Sequence, residues 1–471
     1  MKNIFKLIAI AVACVPTLTG CSEKFIQRDK PLVMTENIIF NDATYIESAL
    51  LGCYDSFKSS SPSFMGGRAY VVFDSRGDDI VNMSNPVTLQ DTYEMKVLPT
   101  TQENSQIWDL AYGTINNCNI FIDNLSKYNC KNVVGEAKCN QFEAEAKFIR
   151  AYCYYVLVNL YSQPFKLNPD APAVPLRLTG LTSSGNNDCP RSSIGAIYAQ
   201  MLADCIPAAL LDEPNTRDGV TRASKAAAHM LRMRVYMAME DWNKAIAEGE
   251  AITGYEVAAD VTELYGTDTY NSKEIIFALP MSTQDRPNTQ QSCAEFFSKD
   301  ATVCWLDTEA GILSQADYSQ AADQRISKLI SDADGNGHVY SKKFVDKAQK
   351  QDWVPVMRYA ETVLNLAECY ANQPTGTTAA KNHLKAVRNK RIAPADDALD
   401  IDGMTGGQLV TAIKNERRLE FICEGIRGVD IMRRGENFVK NNTLVNVNVT
   451  PADQYYTWPI PDEEKAYNKA L

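Results

Sequence analysis

Apolar residues return with a helical period over much of the chain. Ile107, Leu110, Ala111, Thr114, Ile115, Cys118, Phe121, Ile122 and Leu125 step by threes and ones, the stripe of a long amphipathic helix. Phe142, Ala146, Ile149, Cys153, Val156, Leu157 and Leu160 repeat it after a short polar connection, predicting an antiparallel helix pair over about 107–161. Residues 192–211 and 221–239 read as a second pair. Trp242 and Ala245, within DWNKAIAEGEAI, open a further helix in the manner of a tetratricopeptide unit, where a small-residue face receives bulky side chains from the next helix; this block reaches about 253. A third block, about 353–423, has a helix opening at Trp353 and a partner over 378–391 beyond the break Pro374-Thr375-Gly376. At the front, 41–57 is expected to be helical with Tyr45, Ala49, Cys53 and Phe57 on its inner face. Insertions interrupt the repeats and no fixed period survives, so the predicted class is mainly α, with a tetratricopeptide-like, solenoid-like half.

Between the pairs the periodicity fails. Ser59-Ser60-Ser61-Pro62 and Gly66-Gly67 predict a loop-rich insertion over about 58–100, a second covers about 281–340, and 164–190 is rich in Pro, Gly, Ser and Asn. Glu274-Ile275-Ile276-Phe277-Ala278 is a short β-prone run. Long irregular stretches in a compact protein are usually functional or disordered. Here one holds Tyr70, Phe73, Asp74, Arg76, Asp78, Asp79, Asn82 and Tyr93, and the other Phe296, Phe297, Trp305, Asp307 and Tyr318. Flat aromatic faces with carboxylates, amides and guanidinium groups are the residue types that stack on sugars and bond their hydroxyls. Tyr70, Asp74, Arg76, Asp78, Asp79, Asn82, Tyr93, Phe296 and Trp305 are therefore the candidate ligand residues. Trp305 leads, because a tryptophan in a loop has no periodic core to explain it.

The N-terminus changes the picture. Lys2 and Lys6 precede an apolar run, and Leu18-Thr19-Gly20-Cys21 follows it, a bacterial lipoprotein signal in which 1–20 is removed and Cys21 carries the lipid. The run is too short to span a bilayer. Residues 21–471 are then expected to form one domain. A net charge of −11 with no basic block argues against nucleic acid as a partner. Of the thirteen cysteines, Cys130 with Cys139 and Cys293 with Cys304 are spaced for disulfides in an oxidising compartment, but buried free thiols explain most of the set.

Catalytic and metal motifs are weak. The three histidines stand in no zinc spacing, and there is no phosphate-binding glycine loop or nucleophile elbow. Asp332-x-Asp334-x-Asn336-Gly337 matches half a calcium loop, yet position twelve is Lys343 where a bidentate Glu belongs, and a tight turn accounts for the same residues. Near the C-terminus, NERRLEFICEGIRGVDIMRRG would place Glu416, Glu420 and Glu424 on one face of a helix ending about Gly425. Arg417, Arg418 and Arg427 are close enough in sequence to neutralise that face, and Leu419, Phe421, Ile422 and Ile426 lock it against a core. Carboxylates so surrounded are held ionised, the opposite of what a glycosidase acid requires, so no enzyme is expected.

That motif carries a resemblance. Glu416-Arg417-Arg418-x-Glu420, Glu424-Gly425-x-Arg427 and Asp430-x-x-Arg433 resemble the C-terminal signature of the SusD-like (RagB/SusD) outer-membrane lipoproteins. Further matches follow in family order: Trp108 and Tyr112, Cys118-Asn119, the run AEAKFIRAY ending at Tyr152, Val174-Pro175-Leu176, Glu274 to Phe277, Asp323 and Arg325, Arg358-Tyr359-Ala360-Glu361, and Pro459-Ile460-Pro461. The resemblance implies a tetratricopeptide-like half facing a partner and a loop-rich half carrying a ligand site near Asp78 and Asp79. It implies an outer-membrane, cell-surface lipoprotein that captures oligosaccharide and acts as a lid over a SusC-like TonB-dependent transporter. Peptides or another nutrient remain open as cargo, as does a lipid-anchored scaffold that binds only proteins.

Overall fold

A computed structural model describes residues 34–82, 89–183, 185, 187–299 and 303–471; the predicted leader and Cys21 lie outside them. The fold is mainly α. Among the described residues no helix is long and apolar enough to cross a membrane. Strands are short and paired in twos: β1 (Ile80–Asn82), β2 (Pro172–Pro175), β3 (Arg191–Ser193), β4 (Ile275–Leu279), β5 (Cys304–Leu306), β6 (Val354–Arg358), β7 (Phe438–Asn441) and β8 (Asn446–Val449). They combine antiparallel as β1–β5, β2–β3, β4–β6 and β7–β8.

Helices Gln102–Lys127 and Glu136–Tyr161 form the first predicted pair. The second of these is buried all round from Phe148 to Tyr161, because Ala43–Lys58, Gln102–Lys127 and Ile194–Asp204 all pack against it. Lys225–Ala238 pairs with Trp242–Glu250, which rests on Tyr359–Ala371; that helix in turn packs on Thr377–Arg391 and Gly406–Glu420. Gly249 lies at the junction, where a Cβ would crowd Met233 and Leu366, so a small residue does receive bulky neighbours there.

Several local expectations need correction. Helix Ala43–Lys58 is capped by Asp42, whose carboxylate accepts from the Thr44 and Tyr45 amides. It buries Ile46, Leu50, Cys53, Tyr54 and Phe57, and leaves Tyr45 41% exposed, a face one residue away from the predicted one. Val354–Arg358, expected to open a helix, is instead β6, with Ile275 opposite Arg358 and Leu279 opposite Val354; the helix begins at Tyr359. Pro355 fits a two-stranded ribbon and would have broken an interior helical turn. The eleven cysteines among the described residues are free thiols, so neither candidate disulfide forms.

The largest departure lies within 58–100. Arg68–Arg76 is a helix with every residue buried, packed against Cys293–Phe297 and Arg427–Arg434. Its approach to the latter helix depends on Gly428, where a Cβ would collide with the Phe73 carbonyl oxygen. Gly428→Ala is expected to cost about 1–3 kcal/mol by overpacking. A thermal melt unchanged from wild type would contradict that close approach.

Candidate functional site

The C-terminal motif folds as two helices. Gly406–Glu420 ends at Glu420, Cys423 and Gly425 turn the chain at φ 63° and 70°, and Arg427–Arg434 follows. Glu424 therefore stands in the turn, not on the predicted helical face. Its neutralising cations also differ from those expected. Glu416 accepts from Arg325 (2.6 Å) and Arg388 (2.8 Å); Glu420 from Arg358 (2.6 Å), Arg391 (2.8 Å) and Arg325 (3.0 Å). Glu424 accepts from Lys343 (2.6 Å) and Arg358 (2.8 Å). Burial pushes the Glu420 carboxyl up, but Arg391, Arg358 and Arg325 outweigh it and hold the group well below the usual carboxylate range. Such a group supplies rigidity and no proton.

The arginines nearest in sequence serve elsewhere. Arg417 donates to Asp430 at 2.8 Å. Arg418 reaches Asp79 (2.6 Å) and Asp78 (3.1 Å), and Arg427 reaches Asp78 at 2.5 Å. Asp79 also accepts from the Ile312 amide at 2.7 Å. Asp78 and Asp79 thus pin the start of β1 to the ionic frame.

Most other candidate ligand residues are interior. Tyr70 donates to the Pro355 carbonyl (3.2 Å), and Asp74 accepts from the Gly425 amide (2.9 Å), its carboxyl pushed up to about 7 by burial. Arg76 donates to the carbonyls of Asn159 and Tyr456, both at 2.7 Å, and lies 4.5 Å from the Phe438 ring. Phe296 and Phe297 are buried, the former beneath Arg68, and Tyr318 is buried as well. The expectation of an open loop fails for Tyr70, Asp74, Arg76 and Phe296, because the segments bearing them are helices enclosed by the core. Asn82 is buried at the end of β1. Tyr93 is buried too, with the Lys440 ammonium 4.1 Å from its ring centre and its hydroxyl accepting from Asn442 at 3.0 Å.

Trp305 lies at the surface. It stands on β5 directly opposite Val81 of β1, so pairing of the two insertions brings the tryptophan beside the Asp78–Asp79 segment. Its indole stacks on His338, ring centres 3.9 Å apart and 13° from parallel. This pair forms one wall of a cleft of about 250 Å³, edged by Asp307, Glu309, Asn336, Asn442 and Thr443. Asp307 organises the floor: it accepts from the Glu309 and Ala310 amides, each at 2.8 Å, and from the Asn442 side chain at 2.8 Å. Glu309 accepts from the Thr443 amide (2.9 Å) and hydroxyl (3.2 Å), tying the β7–β8 turn to the segment after β5. Asp307→Ala is expected to leave those donors unpaired and lower stability by about 1–3 kcal/mol; an unshifted denaturation midpoint would refute that role.

Sequence reasoning passed over His338, Glu309, Asn442 and Thr443. One signal was available: Asn441-Asn442-Thr443 begins the link between two alternating strands, as hairpin turns do. The half calcium loop folds as a turn instead. Asp334 accepts from the Asn336 and His338 amides at 2.8 and 3.0 Å and from the Tyr340 hydroxyl at 3.0 Å, while Asp332 and Asn336 are exposed. Among the described residues no carboxylate, histidine or cysteine group has metal-binding geometry. A second cleft, about 270 Å³, lies beside Tyr467. Several of its polar groups are spent internally: Asn116 holds both backbone groups of Leu181, Asn468 both of Cys189, and Arg177 faces Glu464 at 3.5 Å. The Trp305 cleft, with an aromatic pair and exposed polar residues at its rim, is the better candidate.

Comparison with known proteins places this architecture. The model of the SusD family matches residues 232–471, and one described as "Starch-binding associating with outer membrane" matches 32–237. A SusD superfamily crystal structure from Bacteroides fragilis is 48% identical, with a TM-score of 0.88 over 92% of this chain and 99% of that one. A SusD-like carbohydrate binding protein from Bacteroides vulgatus, 21% identical, shares the fold at a TM-score of 0.73 over 92% of this chain and 97% of its own. A SusD-like protein of Formosa agariphila is 22% identical across 100% of this chain and 98% of its own length.

Proposed function

The chain belongs to the SusD family, and from that premise we propose that it captures oligosaccharides at the cell surface and passes them, unaltered, to a SusC-like TonB-dependent transporter. Cys21 would carry the lipid that holds it to the outer membrane. The observation that carries the reading is the Trp305–His338 stack at the rim of the 250 Å³ cleft, with Asp307, Glu309, Asn442 and Thr443 beside it. A pyranose offers an apolar face to aromatic surface and a ring of hydroxyls to acceptors and amides, and the cleft presents both within one small volume. His338 already covers one indole face, so a sugar stacks on the remaining surface of the pair.

The frame suits capture better than turnover. The cleft is set by the β1–β5 pair and the β7–β8 hairpin, the first held through Asp78 and Asp79 to the ionic frame and the two joined through Asp307 and Asn442, a preorganised wall that spares ordering cost on binding. The carboxylates Glu416, Glu420 and Glu274 are buried among arginines. Calorimetry against a panel of oligosaccharides is the test. The reading expects saturable binding of at least one glycan class, recovery of that glycan uncleaved, and co-purification with a TonB-dependent transporter. A full panel without binding, alongside saturable binding of peptides, would replace the cargo; release of shortened sugars would make the protein an enzyme.

A further inference from the structure

We infer that the Trp305 cleft selects uncharged saccharides and rejects carboxylated and sulfated ones, an inference that rests on the saccharide-binding reading above. Among the described residues lining the cleft, two are carboxylates, Asp307 and Glu309, one is an imidazole, and none is lysine or arginine. Among the described residues, the hydrogen bonds to these carboxylates come from backbone amides, the Asn442 side chain and the Thr443 hydroxyl, and none from a cation. His338 has another carboxylate, Asp334, 3.7 Å from Nδ1. An acidic sugar entering here meets negative charge on two sides.

Three cations of the surrounding frame point away from the cleft. Arg418 and Arg427, which the Asp78–Asp79 segment recruits, are taken up by those carboxylates. Lys440, on β7 just before the cleft turn, points inward, where the carbonyls of Ser75 and Tyr93 hold its ammonium. A uronate or sulfate would therefore lose water beside like charge and gain no counter-ion. Specificity is commonly built in this way, by leaving the wrong partner's charge unpaired. Hydroxyl groups fare differently: they donate to carboxylate oxygens and exchange bonds with Asn336, Thr308 and Thr443. The net charge of −11 acts in the same direction at longer range.

Glu309 is the natural probe, being exposed where Asp307 is buried. Calorimetry on the full chain would compare neutral, uronate-containing and sulfated oligosaccharides of one backbone and length, with wild type, Glu309→Gln and Glu309→Lys. At low salt the acidic ligands are expected to bind about tenfold more weakly than the neutral one. That ratio should shrink several-fold in Glu309→Gln and as ionic strength rises to about 0.15 M, and should approach or pass unity in Glu309→Lys. Equal or tighter wild-type binding of the acidic ligands overturns the inference, as does a ratio indifferent to both substitutions, which would assign the rejection to shape. If no saccharide binds at all, the function reading itself falls.

Discussion

Glu420→Gln is expected to lower stability by about 3–5 kcal/mol, read as a reduced chemical-denaturation midpoint at pH 7, although it removes only a charge. Glu420 is buried, and one of its oxygens takes hydrogen bonds from both Arg358 and Arg391 while the other faces Arg325. An amide keeps the shape but cannot balance three guanidinium groups, and its NH₂ turns a donor toward one of them. The same charge makes an acid-limb prediction. The folded-state carboxyl is held well below its ordinary value of 4.5, so its contribution is complete above that pH and is lost as pH falls below it toward the folded value. Wild type should lose stability steeply on acidification below about 4.5, and Glu420→Gln should have a shallower acid limb because that contribution is already gone. A normally stable variant would remove the buried network from its place as the frame of this fold.

Trp305→Ala carries the largest expected effect on function. Losing the indole removes the main apolar contact for a sugar face, about 1.5–3 kcal/mol, or roughly 10- to 150-fold in Kd by calorimetry. Trp305→Phe should retain much of the affinity, since a flat ring survives. The change acts through the site itself: Trp305 is only partly buried, and its strand partner Val81 and neighbours Cys304 and Leu306 are held in the core. Circular dichroism should show the helical content unchanged. Full affinity in Trp305→Ala would move the site away from this cleft, with the cleft beside Tyr467 next in line.

How much was legible follows from how local each signal is. The helices Gln102–Lys127 and Trp242–Glu250 could be read because a helix facing a core on one side writes its face into the sequence every three to four residues. The helix Arg68–Arg76 could not, because it is buried on all sides and shows no alternation; flanked by Gly67 and Gly77, it passes for loop. Trp305 was legible as a tryptophan without a periodic stripe. Its setting was not: Asp307 and Asn442, which meet at the cleft floor, are 135 residues apart.

The E-R-R-x-E motif shows the division most clearly. From Glu416, Glu420 and Glu424 with the arginines and apolar residues interleaved among them it followed that carboxylates would be buried and neutralised, since acidic side chains so close to apolar ones cannot enter a core uncompensated. The mainly α class and the helical-repeat frame also followed from the residue pattern. Which arginines answer the glutamates depends on packing: Arg325, Arg358 and the pair Arg388 and Arg391 arrive on three separate elements, while Arg418 and Arg427 leave to hold Asp78 and Asp79. Helical faces are set by neighbours three and four residues away, whereas ion pairs and clefts are set by whichever segments packing brings together, and no short-range pattern records that choice.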